Sequence, residues 1–114
     1  KDKFIELYGN GFISSIEITK NMLLETGANQ EESSGMVDYA KDIRGVELAV
    51  LFKEQDDGQI KISMRSKNTV DCNKLAQTFG GGGHARAAGC ILDAKLKDAK
   101  ATVINQAKKC LVER

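Results

Sequence analysis

At 114 residues, 41% of them apolar and 29% charged, the chain has the length of one domain. Seventeen basic against sixteen acidic residues leave a net charge of +1, which disfavours a wholesale polyanion binder of pI above about 9 but leaves room for a local basic patch. No run approaches the roughly 18 apolar residues of a membrane span, and no secretory segment opens the chain. Cys72, Cys90 and Cys110 are odd in number and lack a C-x-x-C pair, so they read as reduced packing residues of a cytoplasmic protein, not as a disulfide framework or zinc site. The chain begins at Lys1 without a methionine, so the expectation is a domain, residues 1–114, cut from a longer protein.

In chain order, Gly9-Asn10-Gly11 signals a turn, and Phe12 to Ile18 alternates as a strand. Thr19 caps a short helix ending at Thr26-Gly27, and Glu31 to Lys41 forms a second helix. Val46 to Lys53 is an apolar, β-branched run expected as a central strand. Asp56-Asp57-Gly58 turns it back into Gln59 to Ser66 as a hairpin partner. There Ile60, Ile62 and Met64 share one face, and Lys61, Ser63 and Arg65 the other. Asp71 caps a helix through Phe79 that Gly80 ends, and Ala87 to Leu92 supplies a further strand. Lys95 to Glu113 closes the chain as an amphipathic helix burying Leu96, Ala99, Val103, Ala107 and Cys110. Interleaved strands and helices with one hairpin predict a single α/β (α+β) domain, its mixed sheet of about four to five strands flanked by helices.

Five of the eleven glycines fall between Gly80 and Gly89. Four in succession, Gly80 to Gly83, carry a large entropic cost, so either a ligand approaches the backbone closely or a tight helix-to-strand turn needs the freedom. One glycine usually suffices for the turn, which favours a ligand loop. Gly80-x-Gly82-x-x-Ala85 matches the dinucleotide fingerprint only formally, since it follows a helix, and no Gly-Lys-Ser/Thr ending makes a Walker loop. What remains is a set of backbone N–H groups beside His84 and Arg86, which would face an anion if His84 to Ala88 formed a helical turn. His84, the only histidine, reads either as a loop histidine bonded to backbone or as a ligand contact. Arg65, flanked by Ser63 and Ser66, offers a planar fork suited to phosphate, or else belongs to an ordinary solvated strand face. Asp38, Tyr39 and Arg44 read as surface residues at a helix end, with an aromatic available to stack a base. The chain lacks the clustered carboxylates and histidines of a two-metal hydrolase centre.

Ile62-Ser63-Met64-Arg65-Ser66, Asp71-Cys72-Asn73-Lys74-Leu75-Ala76 and Gly80-Gly81-Gly82-Gly83-His84-Ala85-Arg86-Ala87-Ala88-Gly89, in this order, resemble the DHH-associated domain of DHH-family phosphoesterases. The stretch from Gly35-Met36-Val37-Asp38-Tyr39 through Ile43-x-Gly45-Val46-Glu47 is similar to the branch of oligoribonucleases with pAp phosphatase activity. The resemblance implies a two-domain enzyme, in which an N-terminal DHH domain, absent here, binds manganese ions and hydrolyses the phosphoester. It implies that this chain holds the substrate and is inactive alone. Arg65, Gly81, Gly82, Gly83 and His84 match the family's substrate-contacting positions, with Ser63, Ser66 and Arg86 beside them. On that resemblance Arg65 clamps a phosphate, the loop donates N–H bonds, and His84 stabilises charge in the transition state without being a catalytic residue of this chain.

The expected partners are a short oligonucleotide or nucleotide phosphate, the missing DHH domain and, if the glycine loop serves as a contact, a second copy of the chain. No membrane is expected. Cyclic dinucleotides and polyphosphate are substrate variants, the latter as in exopolyphosphatase-related members. The alternative is a non-catalytic nucleotide- or RNA-binding module related to the alanyl-tRNA synthetase C-terminal domain.

Overall fold

Alternation along Ile60–Ser66 orients the whole sheet. Successive strand side chains point to opposite faces, and Ile60, Ile62, Met64 and Ser66 are buried while Lys61, Ser63 and Arg65 turn the other way. The computed structural model describes residues 5–8, 12–19, 30–55 and 57–112. They form β1 (Ile5–Tyr8), β2 (Ile13–Ile18), α1 (Gln30–Lys41), β3 (Leu48–Glu54), β4 (Ile60–Ser66), α2 (Cys72–Gln77), β5 (Gly82–Gly83), β6 (Ala87–Leu92) and α3 (Leu96–Val112). The strands join in one mixed sheet, in the order β1-β2-β3-β4-β6-β5. Strands β2 and β3 run parallel, with α1 in their connection, and the other neighbouring pairs are antiparallel.

One face of the sheet is sealed by α2 and α3. Leu48, Val50 and Phe52 of β3 meet Ile62 and Met64 of β4 there, under Leu75 and Ala76 of α2 and Val103 and Ala107 of α3. Removing a side chain such as the fully buried Phe52 from that layer would cost about 3–5 kcal/mol. Glu17 of β2 forms an ion pair with Lys100 of α3 across the same face. On the opposite face α1 lies over β2, β3 and β4. Its Val37 and Ala40 pack on Ile16, Ile18, Ala49 and Leu51, and the Ser14 hydroxyl donates to the Ala40 carbonyl at 3.1 Å. Beyond α1, no described element covers the part of this face made by β4, β6 and β5. That asymmetry creates the groove described below.

The α/β class and the single mixed sheet agree with the sequence expectation, as do the strands at β2, β3, β4 and β6 and the helices at α1, α2 and α3. Gly58 closes the β3–β4 hairpin at φ +85°, and the Asp71 carboxylate accepts from the Lys74 N–H at 3.1 Å as the N-cap of α2. The sheet has six strands, not four to five. The two additions are the edge strand β1 and the two-residue β5, whose glycines carry no strand signal. The expected Gly9–Gly11 turn and the Thr19-capped helix ending at Gly27 lie outside the described residues. The helical turn weighed for His84 to Ala88 is instead a β-hairpin: the His84 N–H donates to the Ala87 carbonyl at 2.7 Å and the Ala87 N–H to the His84 carbonyl at 3.2 Å. No helix among the described residues is long and apolar enough to cross a membrane.

Candidate functional site

The exposed end of the α1 face is an open groove of about 670 Å3, walled by Lys61, Ser63 and Arg65 of β4, by the backbone of Gly80 to Gly83, and by Ala87, Gly89 and Ile91 of β6. Register explains the assembly: Ser63, Gly89 and Gly82 are neighbours across β4, β6 and β5, as Arg65 and Ala87 are one row on. Among the described residues the charged ones lining it are Lys61 and Arg65, so the charge that they bring to it is cationic.

Arg65 is set in place before any ligand arrives. Its Nη1 donates to the Met64 carbonyl at 2.9 Å, and its Nε lies 3.5 Å from Asp38 Oδ1 on α1. A guanidinium carries five N–H donors, and these contacts leave part of the fork directed to other acceptors. Asp38, read from sequence as a surface residue, thus orients the arginine; Tyr39 and Arg44 are exposed and do not line the groove.

Two neighbouring glycines of the run differ in what requires them. A Cβ at Gly81 would lie 2.1 Å from the Gly89 carbonyl oxygen and 2.6 Å from Cys90 Cβ, so only glycine lets β5 lie against β6 there. At Gly82 the same addition meets nothing closer than Asn73 Oδ1 at 3.5 Å, an ordinary contact. Internal packing therefore accounts for Gly81 but not for Gly82, whose bare backbone faces the groove. The loop's N–H groups are largely engaged within the chain: Gly80 donates to Gln77 O, Gly81 to Ala76 O, Gly83 to Asn73 Oδ1 and His84 to Ala87 O, at 2.7–3.1 Å. The expected array of free loop donors is thus not preformed at those four positions.

His84, Ser66 and Arg86 are not among the residues lining the groove. His84 is exposed on the hairpin turn that follows β5. Ser66 is buried on the sealed face, its Oγ 2.7 Å from the Val70 carbonyl and 3.3 Å from that of Ala85, and it accepts from Arg86 Nη1 at 3.1 Å. The Ser66 N–H donates to Arg86 O and the Cys72 N–H to Ala85 O, so the turn bearing His84 is fastened to β4 and to the start of α2.

Glu47, noticed in the sequence only as part of the upstream resemblance, anchors this fastening. Its buried carboxylate accepts N–H bonds from Asn68, Thr69 and Val70 at 2.8–3.2 Å and lies 3.9 Å from Arg86 Nη1. Burial alone would raise its pKa, but the bonds from Val70, Thr69 and Asn68 together outweigh that and hold it below the usual glutamate range. The sequence signal was its place just before an apolar strand, which does not by itself reveal a partner 20 or more residues away.

A family model described as the DHHA1 domain matches residues 10–113. The bifunctional oligoribonuclease and PAP phosphatase NrnA of Bacillus subtilis (strain 168) is 39% identical over 88 residues, 77% of this chain and 27% of that protein. The crystal structure of an exopolyphosphatase-related protein from Bacteroides fragilis is similar with a TM-score of 0.82 and 29% identity, over 92% of this chain and 31% of that one. The C-Ala domain of Aquifex aeolicus alanyl-tRNA synthetase shares the fold with a TM-score of 0.63 at 14% identity, over 94% of this chain and 96% of that one. The chain spans about a quarter of the length of the curated relatives it matches.

Proposed function

Since the chain belongs to the DHHA1 domain family, we propose that it is the substrate-binding domain of a phosphoesterase acting on short oligonucleotides or nucleotide phosphates such as pAp. The observation that carries this reading is the cationic groove, with Arg65 preset on one wall and the bare Gly82 backbone on another. A phosphate entering it meets the remaining guanidinium donors, a charge-assisted interaction of about 1.5–3 kcal/mol. Ser63, one row away on β4, adds a hydroxyl donor. Gly82 lets the phosphate or sugar approach the backbone, and His84 on the adjoining turn reaches the same phosphate from the rim. The groove binds by side chains more than by loop amides, since those of Gly80, Gly81, Gly83 and His84 already have partners.

Among the described residues no three of His, Cys, Asp and Glu are grouped to hold a metal ion. These residues therefore do not fit the manganese ions that the family implies. On this reading the ions and the hydrolytic step belong to a DHH domain elsewhere in the protein, and this chain binds and orients the phosphate presented to it.

The test is an NMR titration of the isotope-labelled chain with pAp and with a dinucleotide. Shift changes centred on Arg65 and Gly81 to Gly83, weakened about tenfold or more by Arg65→Ala, are the expected result. Unchanged affinity in that variant would remove Arg65 as the phosphate clamp. The second reading, a non-catalytic RNA-binding module like the synthetase domain, rests on likeness of fold. It predicts tight binding of a structured RNA with no preference for short 5′-phosphorylated strands.

A further inference from the structure

Lys61 stands toward the end of the groove away from Arg65, four residues along β4, or about 13–14 Å at the rise of an antiparallel strand. Its cross-strand neighbours are Lys53 on β3 and Ile91 on β6. Two features of this row have no account among the described residues. Lys53 is 5% exposed and directly opposite Lys61, an arrangement that destabilises a sheet by pairing like charges. Neither lysine has an ion pair or side-chain hydrogen bond among the described residues. Burial, with the Lys61 charge added to it, pushes the Lys53 ammonium below the ordinary lysine range. The other feature is Ile91, an apolar side chain 54% exposed on the groove wall beside Lys61.

Both make sense if an anion occupies this end. A phosphate on Lys61 offsets the repulsion between the lysines, and a sugar or base beside it covers Ile91. It is a different phosphate from the one at Arg65, because Arg65 is tethered at its own end by the Met64 carbonyl and Asp38. We propose that Lys61, backed by Lys53, forms a second phosphate subsite with Ile91 as the platform for the adjoining nucleoside, so that the groove takes a single strand carrying at least two phosphates. The inference rests on the function proposed above and adds to it a minimum substrate length.

The experiment measures dissociation constants of the chain for adenosine 5′-monophosphate and for the 5′-phosphorylated dinucleotide pApA, at several salt concentrations. The dinucleotide is expected to bind about tenfold tighter than the mononucleotide, through one further charge-assisted contact. Lys61→Gln, at an exposed position, should remove most of that advantage and leave mononucleotide binding within about twofold. The slope of log affinity against log salt for the dinucleotide should fall by about 0.7, the value for one single-strand phosphate contact. Ile91→Ser should weaken the dinucleotide without changing that slope. The inference is overturned if Lys61→Gln changes neither ligand, or weakens both equally, which would place both cations on one phosphate. Should the mononucleotide bind in an Arg65-dependent way with no gain for the dinucleotide, the subsite falls and the proposed function stands. Should neither ligand bind the unsubstituted chain at millimolar concentration, both fall.

Discussion

Two adjacent glycines separate packing from binding. In Gly81→Ala the new methyl group would lie 2.1 Å from the Gly89 carbonyl oxygen and under 3 Å from Cys90 Cβ and Cα. None of these atoms is the end of a flexible side chain, so β5 has to move away from β6 by roughly an ångström, with loss of the pairing around it. Overpacking of this kind costs about 1–3 kcal/mol. The broken pairing brings the total to the upper end of that range, out of the 5–15 kcal/mol that stabilise an ordinary domain. Gly82→Ala meets only Asn73 Oδ1 at 3.5 Å, and the residue lies outside the left-handed region, so the native state accepts it. The substitution also restricts the unfolded chain, so stability should hold or rise by up to about 1 kcal/mol. Affinity for a nucleotide phosphate should nevertheless drop, because the methyl group occupies the space where the ligand nears the backbone. Urea unfolding at pH 7 and NMR titration with pAp on the same two variants give the comparison. The reasoning is refuted if Gly82→Ala binds pAp as well as the unsubstituted chain does, or if it loses as much stability as Gly81→Ala.

Glu47→Gln removes the charge that three N–H groups converge on, and should cost about 2–3 kcal/mol in urea unfolding at pH 7, most of it from the orphaned donor and little from the half-exposed Arg86. Because the folded-state pKa of Glu47 is lowered, its stabilisation is complete above the unfolded value of about 4.3 and is lost as pH falls through the folded one, so the gap between the two proteins should narrow below about pH 4. Burial pushes the Cys90 thiol up to about 11, so alkylation of the native chain at pH 8 should spare Cys90 and mass mapping should find it modified only after denaturation.

The layout of the fold was legible wherever periodicity or turn chemistry acts locally. Alternation in Ile60–Ser66 assigned Ile60, Ile62 and Met64 to the core and Lys61, Ser63 and Arg65 to the other face, and Asp71 and Gly58 marked a cap and a turn by chemistry confined to a few residues. Strand β5 was not legible, because Gly82 and Gly83 have no side chain to show a period and pair with Gly89 and Ala88 through the backbone alone. Ser66 illustrates the opposite limit. Its place beside Arg65 suggested a shared ligand, yet the same alternation that turns Arg65 to the groove turns Ser66 inward, where Val70, Ala85 and Arg86 take up its hydroxyl. Asp38 gained its role only from Arg65, 27 residues along the chain, and Glu47 from Asn68 to Val70 and Arg86, 21 to 39 residues along, which no local pattern encodes.

The chain does hold a carboxylate in a cradle of consecutive N–H groups, but at Asn68 to Val70, where the anion is its own Glu47. The glycine loop is closed in a comparable way by Ala76 O, Gln77 O and Asn73 Oδ1. With these N–H groups satisfied internally, the cationic side chains lining the groove come from the odd-numbered face of β4, Lys61 and Arg65 with Ser63 between them. The even-numbered residues of that strand carry the core. Core and groove thus divide one strand by parity, and a slip of one residue in its register would exchange them. The β3–β4 hairpin is held against that slip by the Gly58 turn at one end and, at the other, by the Glu47 carboxylate bound to Asn68 to Val70. On the proposed function, stability at the turn and at Glu47 is therefore a condition of binding in the groove, although neither lines it.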